Sequence, residues 1–496
     1  MRPQSARRLP RSLTSLGHLP ISRSPLQNLS CTRRRGLPGL LGLSILIATS
    51  IAATTPAASV APATLDSTAL TRSDPFGALV DEALRANLAL RGERLAERRS
   101  AAQVRQAIGL YLPRVGLDSR LSDGGGLQNL GDLVNPAYGA LNQLTGSNTF
   151  PTDIDYTVPQ LHETRLRVTQ PLLAEGIRAG ISVARARHDV QRLELGAAAR
   201  QIAAAVQLAY LQLAAARSVV EIEVATLDVV HENERVAERL VAAGRATPEA
   251  VLRARADRTR VEQVLAEARE RQLAATREFN RILRRPLEAE VEEVVVAEHD
   301  LPIAIEPDVA LQHALTYREE LLAGDAGIRV AEAARQAVTS RYLPTISAAF
   351  DYGFQGQDYE FTSDGDYWMA SLVAQWDLVD LGRGPAREAA GFDIERARTA
   401  RADLEDRIRV EVQNAYEAAR VAREAIGTAE AHLESARRTY QLVQRRYEEG
   451  AASPVELVDA RTTLTGAELN RALTAYRYAM RWVELERAAA LRDISL

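Results

Sequence analysis

"GAASPVELVDAR" occupies residues 450–461, and a near copy, "GRATPEAVLRAR", occupies residues 244–255. Both run Gly, two residues, Ser or Thr, Pro, then an apolar helical start, 206 residues apart. Gly244 and Gly450 can take positive φ and end a helix. Thr247 and Ser453 are N-cap types, whose hydroxyl accepts a bond from a free N–H of the next helix. Pro248 and Pro454 fall at the first helical position, where a missing N–H costs nothing. Ser453 to Glu456 spells a capping box, whereas Thr247 is followed by Ala250 and lacks the acid. The two stretches predict one helix–turn–helix tip, written twice.

Self-comparison extends the repeat along the chain. "ALVDEALRANLALRGERLAERRSAAQVRQAIGLYLPRV" (78–115) aligns without gaps on "VALQHALTYREELLAGDAGIRVAEAARQAVTSRYLPTI" (309–346), so Tyr111-Leu112-Pro113 falls on Tyr342-Leu343-Pro344. "QPLLAEG" (170–176) then matches "QWDLVDLG" (375–382) with one inserted residue. Beyond it the offset of 206 holds through Tyr210/Tyr416, Gly244/Gly450 and Arg255/Arg461. The organisation read from this is a leader (1–58), an N-terminal segment (59–77), a first repeat (78–300), a linker (301–308), a second repeat (309–491) and a short tail (492–496).

Each unit reads short helix, strand, loop, strand, long helix, tip, short helix. The long helices are expected over about 178–243 and 385–449. In the second, Val412, Ala415, Ala419, Ala422, Ile426, Ala429, Leu433, Ala436, Tyr440, Val443 and Tyr447 keep a 3–4 spacing. That is a heptad seam rich in alanine, which implies close side-by-side helices. At ~1.5 Å per residue each long helix spans roughly 100 Å. Shorter helices (78–111, 249–285, 309–342 and 455–491) should stack end to end beside them.

The strands carry a different period. In "DYWMASLVAQWDL" the residues Trp368, Ala370, Leu372, Ala374 and Trp376 alternate, and in "PTISAAFDYGFQG" Ile346, Ala348, Phe350, Tyr352 and Phe354 share a face. Aromatics flanking an outward apolar band over roughly ten residues fit a transmembrane barrel strand. "PRVGLDSRLS" and "ETRLRVTQPLL" in the first unit are more polar. Between them a Gly/Asn-rich stretch, 123–161, reads as a long external loop.

Composition narrows the function classes. Hydrophobic residues make up 46% and aromatics only 5%, and all 61 basic residues are arginine, the balance of long packed helices. Arg33-Arg34-Arg35 precede an apolar run from Leu37 to Ile51 and then small residues, the layout of a secretory signal, with a signal anchor as the alternative. Cys31 is the single cysteine and precedes the apolar run, so no disulfide or lipid-carrying cysteine follows it. The formal charge is −4, and the eight arginines of the leader leave the rest more acidic, a poor match for nucleic-acid binding. Gly382-Arg383-Gly384 is not a phosphate loop, because Arg387 replaces the third glycine and Pro385 opens a helix. His231 and Glu234 read as a solvated helix face. No nucleophile–base constellation, metal set or cofactor motif emerges, so an enzyme is not expected.

Together the paired Leu-Pro strand entries, the "QPLLAEG"/"QWDLVDLG" turns and the paired tips resemble the TolC-like outer-membrane factor family over essentially all of residues 78–491. The resemblance implies a mainly α fold with a transmembrane β part. It implies a homotrimer whose four strands per copy close a twelve-stranded barrel, continued by a twelve-helix tunnel across the periplasm. Open strand edges are not tolerated in lipid, which agrees with closure by several copies. It further implies an exit duct in the outer membrane, serving an efflux pump or a type I secretion system with a periplasmic adaptor and an inner-membrane transporter. Gly244, Thr247, Pro248, Gly450, Ser453 and Pro454 match the adaptor-docking tips. Tyr447, Glu456 and Asp459 match the positions that hold the periplasmic mouth closed, although Glu456 also serves as the capping-box acid. Ala452 and Ala250 depart from the pattern, which thins the expected closing network. Trp368 and Trp376 are the expected membrane-interface aromatics. The rival reading is a periplasmic coiled-coil adaptor or structural protein, which would carry one hairpin and no duplicated aromatic-flanked strands.

Overall fold

The computed structural model describes residues 76–123, 128–158, 162–292, 305–356, 359, 361 and 365–494. The expected leader with Cys31, nearly all of the 59–77 segment, and residues 301–304 of the linker lie outside the described residues. One series of elements occurs twice. The first repeat holds α1 (Gly77–Ala86), α2 (Leu88–Gly109), β1 (Arg114–Leu121), β2 (Gln128–Asn129), α3 (Leu130–Thr145), β3 (Thr157–Val158), β4 (His162–Leu173), α4 (Glu175–Ala242) and α5 (Pro248–Leu283). The second holds α6 (Pro307–Tyr317), α7 (Glu319–Thr339), a 3-10 turn (Ser340–Tyr342), β5 (Thr345–Gly356), β6 (Asp366–Gln375), α8 (Arg383–Glu448) and α9 (Pro454–Ala488). The long helices α4 and α8 have 68 and 66 residues. Among the described residues no helix is long and apolar enough to cross a bilayer.

Two expectations need correction. The stretch 123–161 is not a plain loop, since it carries the sixteen-residue helix α3, which the Gly and Asn content masked. Asn129 caps that helix at Gly131, and Asn142 clasps the returning backbone at Phe150. The first short helix of each unit is also not continuous. It breaks at Asn87 and at Arg318, which the alignment of the repeats places opposite each other.

Both breaks are held against the end of the returning helix, by different chemistry. The Asn87 carbonyl oxygen caps α2 at Ala89, while its amide donates to the Ile282 carbonyl at 3.4 Å. Arg318 donates instead to the Ala488 carbonyl, the counterpart of Ile282, at 3.5 Å, and its charge is met by Glu320 and Glu411. The returning helices end alike. Arg284 (φ 57) and Ala490 (φ 55) both take the left-handed conformation that closes a helix, without being glycine.

The core is a helix seam. Val412, Ala419, Ala422, Ala429 and Ala436 are buried on α8, and Ala199, Ala203, Val206, Tyr210 and Leu213 on α4. Small side chains let the helices approach closely, and Phe76, Tyr210 and Phe279 fill the wider space at mid-height with edge-on ring contacts. The short helix α7 lies against both α4 and α8, joining the repeats, while α2 lies against α4.

The strands form one antiparallel sheet in the order β1-β4-β5-β6, leaving β1 and β6 as its edges. Its registers correct the sequence alignment. Arg114 faces Thr169 in the first hairpin and Thr345 faces Gln375 in the second, so Thr169, not Gln170, is the counterpart of Gln375. Gln170 corresponds to Trp376: the first donates from Nε2 to the Tyr111 carbonyl (2.9 Å), the second from Nε1 to the Tyr342 carbonyl (3.2 Å). The offset of 206 therefore runs through the strands with no inserted residue. The two matching glutamines were misleading, and the local irregularity is a bulge between Pro171 and Leu173.

Candidate functional site

The sheet has two unlike faces. Register places Val115, Leu117, Leu121, Leu166, Val168, Ala348, Phe350, Tyr352, Phe354, Trp368, Ala370, Leu372 and Ala374 on one side. Trp368 and Leu372 are among the most exposed, at 70% and 71%. The opposite side is charged. Arg167 grips Asp351 across β4 and β5 with two bonds of 2.7 Å, and Arg165 meets Glu163 at 3.0 Å and Asp118 at 3.5 Å. Arg120 reaches Glu163 at 3.5 Å, and Tyr367 donates to the same carboxylate at 2.8 Å. The charged letters of "ETRLRVTQPLL", Glu163, Arg165 and Arg167, thus all serve this second face, with Thr164 and Gln170 on the apolar one, so the first unit's strands are two-sided like the second's. Aromatic side chains sit at both ends of the apolar face. Trp368 stacks near Phe350 toward the loop end, while Trp376, just past β6 and 57% exposed, marks the helix end.

The duplicated tyrosines fasten sheet to helix. Tyr111 donates to the Leu172 carbonyl at 2.9 Å, with the Arg178 guanidinium 5.8 Å from its ring centre. Tyr342 carries Arg383 at 5.5 Å, and that buried arginine is paired with Asp380 at 3.5 Å. Gly382-Arg383-Gly384 is therefore this junction clamp.

At the far end, Gly244 and Gly450 turn the chain with φ of 69° and 79°. Ser453 Oγ accepts from the Glu456 N–H and the Glu456 carboxylate accepts from the Ser453 N–H, both at 3.2 Å, with Pro454 at the first turn. These bonds, the backbone one first, hold the Glu456 carboxyl below its ordinary range. Pro248 also opens its helix, but Thr247 makes no side-chain cap, so the hydroxyl role expected of it is absent. Without an acid at Ala250 no reciprocal bond draws that turn into a box.

Tyr447, Glu456 and Asp459 are not bonded to one another within the chain. Tyr447 is half-buried, and burial pushes its hydroxyl above the ordinary range. Asp459 is exposed, with only its carbonyl engaged, by Thr463 at 2.9 Å. The sequence reading passed over Arg446, which donates to the Ala451 carbonyl at 3.1 Å and stands 3.8 Å from Glu456. Its signal was faint, an arginine four residues before a glycine, with Leu240 at the same place in the first repeat. Glu234, read with His231 as part of a solvated helix face, is instead held by Arg255 and Arg258 at 3.0 and 2.7 Å, and Arg255 leads in pulling its carboxyl down.

One face of α8 is bare. Phe392, Val410 and Val421 are 67%, 57% and 55% exposed, on the side of the helix opposite Ile394 and Val412. Their first-repeat counterparts are Ala186, Ala204 and Ala215, which are 8%, 5% and 7% exposed. In the first repeat α7 and α9 of the second lie against α4, whereas nothing among the described residues covers this face of α8.

Residues 310–491 match the family model for outer membrane efflux protein. No curated protein sequence matches the chain. Among solved structures it is similar to CusC (17% identity, TM-score 0.70, covering 84% of this chain and 92% of that one). It is similar to the CmeC outer membrane channel of Campylobacter jejuni (17%, TM-score 0.68, 84% and 85%). A further likeness is to the outer membrane protein VceC of Vibrio cholerae (18%, TM-score 0.68, 84% and 95%). The family match is thus confined to the second repeat, while the fold throughout the described residues is that of these solved outer-membrane channels.

Proposed function

We propose that three copies of this chain close into a channel-tunnel that crosses the outer membrane and serves as the exit duct for an inner-membrane transporter. The observation that carries the reading is the bare α8 face together with the two open sheet edges. A heterologous surface of this kind is completed by the next copy, and a ring leaves no edge uncovered. The internal repeat supplies the joint. Val168 faces Phe350 where β4 meets β5, and their counterparts are Ala374 on β6 and Ser119 on β1. Closure in the same geometry pairs Ala374 of one copy with Ser119 of the next. The apolar face then meets lipid and the arginine–carboxylate face lines the lumen.

In this reading the tips built on Gly244, Thr247, Pro248, Gly450, Ser453 and Pro454 receive a periplasmic adaptor. Tyr447, Glu456 and Asp459 lie about the mouth. The duct serves a tripartite efflux pump or a type I secretion system, the transporter choosing the cargo. The test is oxidation of an Ala374→Cys/Ser119→Cys variant in isolated outer membranes. Covalent dimers and then trimers, with no larger product, are expected on non-reducing gels. A ladder running past three, or no crosslink from correctly inserted protein, would reject the closure.

A further inference from the structure

The two hairpins, α4–α5 and α8–α9, are joined above their tips by a small buried charge cluster. Arg461 on α9 is 3% exposed, and its Nη2 donates to both carboxylate oxygens of Asp257 on α5, at 2.9 and 2.7 Å. Arg260 reaches the same carboxylate at 2.9 Å, and Thr226 of α4 shares a 3.3 Å hydroxyl bond with Thr465 of α9. Tyr440 on α8 also feels the Arg461 charge.

Two features do not belong to a finished ion pair. The Nε donor of Arg461 is buried with no hydrogen-bond partner. A second carboxylate, Glu223 of α4, is 5% exposed, and both Arg461 and Arg260 are near enough to attract it. The counterpart of Glu223 in the second repeat is Ala429, 3% exposed, so one repeat fills a core position with a methyl group and the other with an acid. Burying a carboxylate without a direct partner is costly unless an arrangement exists in which it is paired.

We propose that Arg461 is a transferable fastener between the hairpins, held by Asp257 in this structure and passed to Glu223 when α9 slides along the first hairpin toward the barrel. Glu223 stands farther from the tip than Asp257 does, which sets the direction. The idle Nε is the donor that the second carboxylate takes. An arginine between two acids on different helices gives two discrete packings, as bistable helix contacts require. The inference needs only the hairpins of one chain, so it stands or falls separately from the duct reading.

The test uses the full chain with Cys31→Ala, Arg245→Cys and Ala451→Cys, spin-labelled at both tips and diluted into unlabelled copies before assembly. The starting protein should give one tip-to-tip distance. Asp257→Ala should give a second discrete distance, displaced by about one helical turn, ~5 Å, because Arg461 moves to Glu223. Adding Glu223→Ala should replace it by a broad distribution. If Asp257→Ala matches either the starting protein or the double variant, the transfer does not occur. Asp257→Asn, of the same shape, serves if the alanine variant fails to assemble.

Discussion

Phe392→Ala tests the seam most directly, because the residue should be idle in one copy and heavily used in the assembly. Phe392 is 67% exposed in the lone chain, whereas Ala186 at the same place in the first repeat is 8% exposed. If the next copy covers Phe392 as the second repeat covers Ala186, more than half of the side chain leaves water on assembly. Full burial of such a side chain stabilises by ~1.5–3 kcal/mol, so each seam should lose about 1–2 kcal/mol on truncation to alanine. Three seams would lose about 3–6 kcal/mol per trimer. Within one copy the change is at the surface and should stay within about 0.5 kcal/mol. The assay is the temperature at which trimers dissociate on semi-native gels, read beside far-ultraviolet circular dichroism of the dissociated chain. Dissociation should fall well below that of the starting protein while the chain's helicity is unchanged. Arg438→Ala, also exposed on α8 but about a quarter-turn from that face, is the control. Should Phe392→Ala dissociate no earlier than that control, the bare face is not a seam.

The remaining expectations concern tips and rim. Ser453→Ala should cost about 1 kcal/mol of local stability, read as roughly fivefold faster amide exchange over 455–458, whereas Thr247→Ala should leave exchange over 249–252 unchanged. The Glu456 carboxyl is held below its ordinary range, so its contribution to the second tip is present above the unfolded value and is lost as pH falls through the folded one; protection there, measured against the intrinsic exchange rate at each pH, should fall in acid, and less so in Glu456→Gln. An added Cβ at Gly450 meets nothing within 4 Å, so Gly450→Ala should cost only the left-handed strain, ~1–2 kcal/mol, with trimers intact, while Gly450→Arg should assemble yet fail in export. Single-tryptophan variants retaining Trp368 or Trp376 should be quenched by brominated lipid, and absence of quenching at both would remove the apolar face from the membrane.

What could be read beforehand follows from what repeats. A duplicated unit makes every weak local signal appear twice, and the two Tyr-Leu-Pro entries, the two glycine-proline tips and the 3–4 alanine spacing of α8 all came through for that reason. Signals that lack a twin did not. The helix α3 has no counterpart among the described residues of the second repeat, and its own asparagine caps look like loop composition. The breaks at Asn87 and Arg318 share a position but no side-chain chemistry, so neither stands out in an alignment. The strand offset failed because two glutamines one position apart were matched by letter, whereas the sheet matches positions by hydrogen bonding. Thr247 failed for a different reason. A cap type is permissive, and the bond forms only when the turn is drawn in from the other side, as Glu456 does for Ser453.

The asymmetry of the tips bears on which part can move. The second turn is closed by its reciprocal cap, by Arg446 on the Ala451 carbonyl and by the nearby Arg446–Glu456 charges. The first has its glycine and proline, no side-chain cap, and a leucine where Arg446 would be. Its two helices are held together higher up, by Arg255 and Arg258 on Glu234, where the carboxylate is largely covered but both arginines remain in contact with water. Pairs whose arginines stay hydrated contribute modestly, and they re-form after a shift of one helix along the other. Stability is therefore concentrated at the second turn and spread thinly along the first hairpin. A rearrangement at this end costs least when the α8–α9 turn stays whole and the α4–α5 hairpin yields beside it. Local opening free energies should differ accordingly, with amides around 244–250 exchanging before those around 450–456.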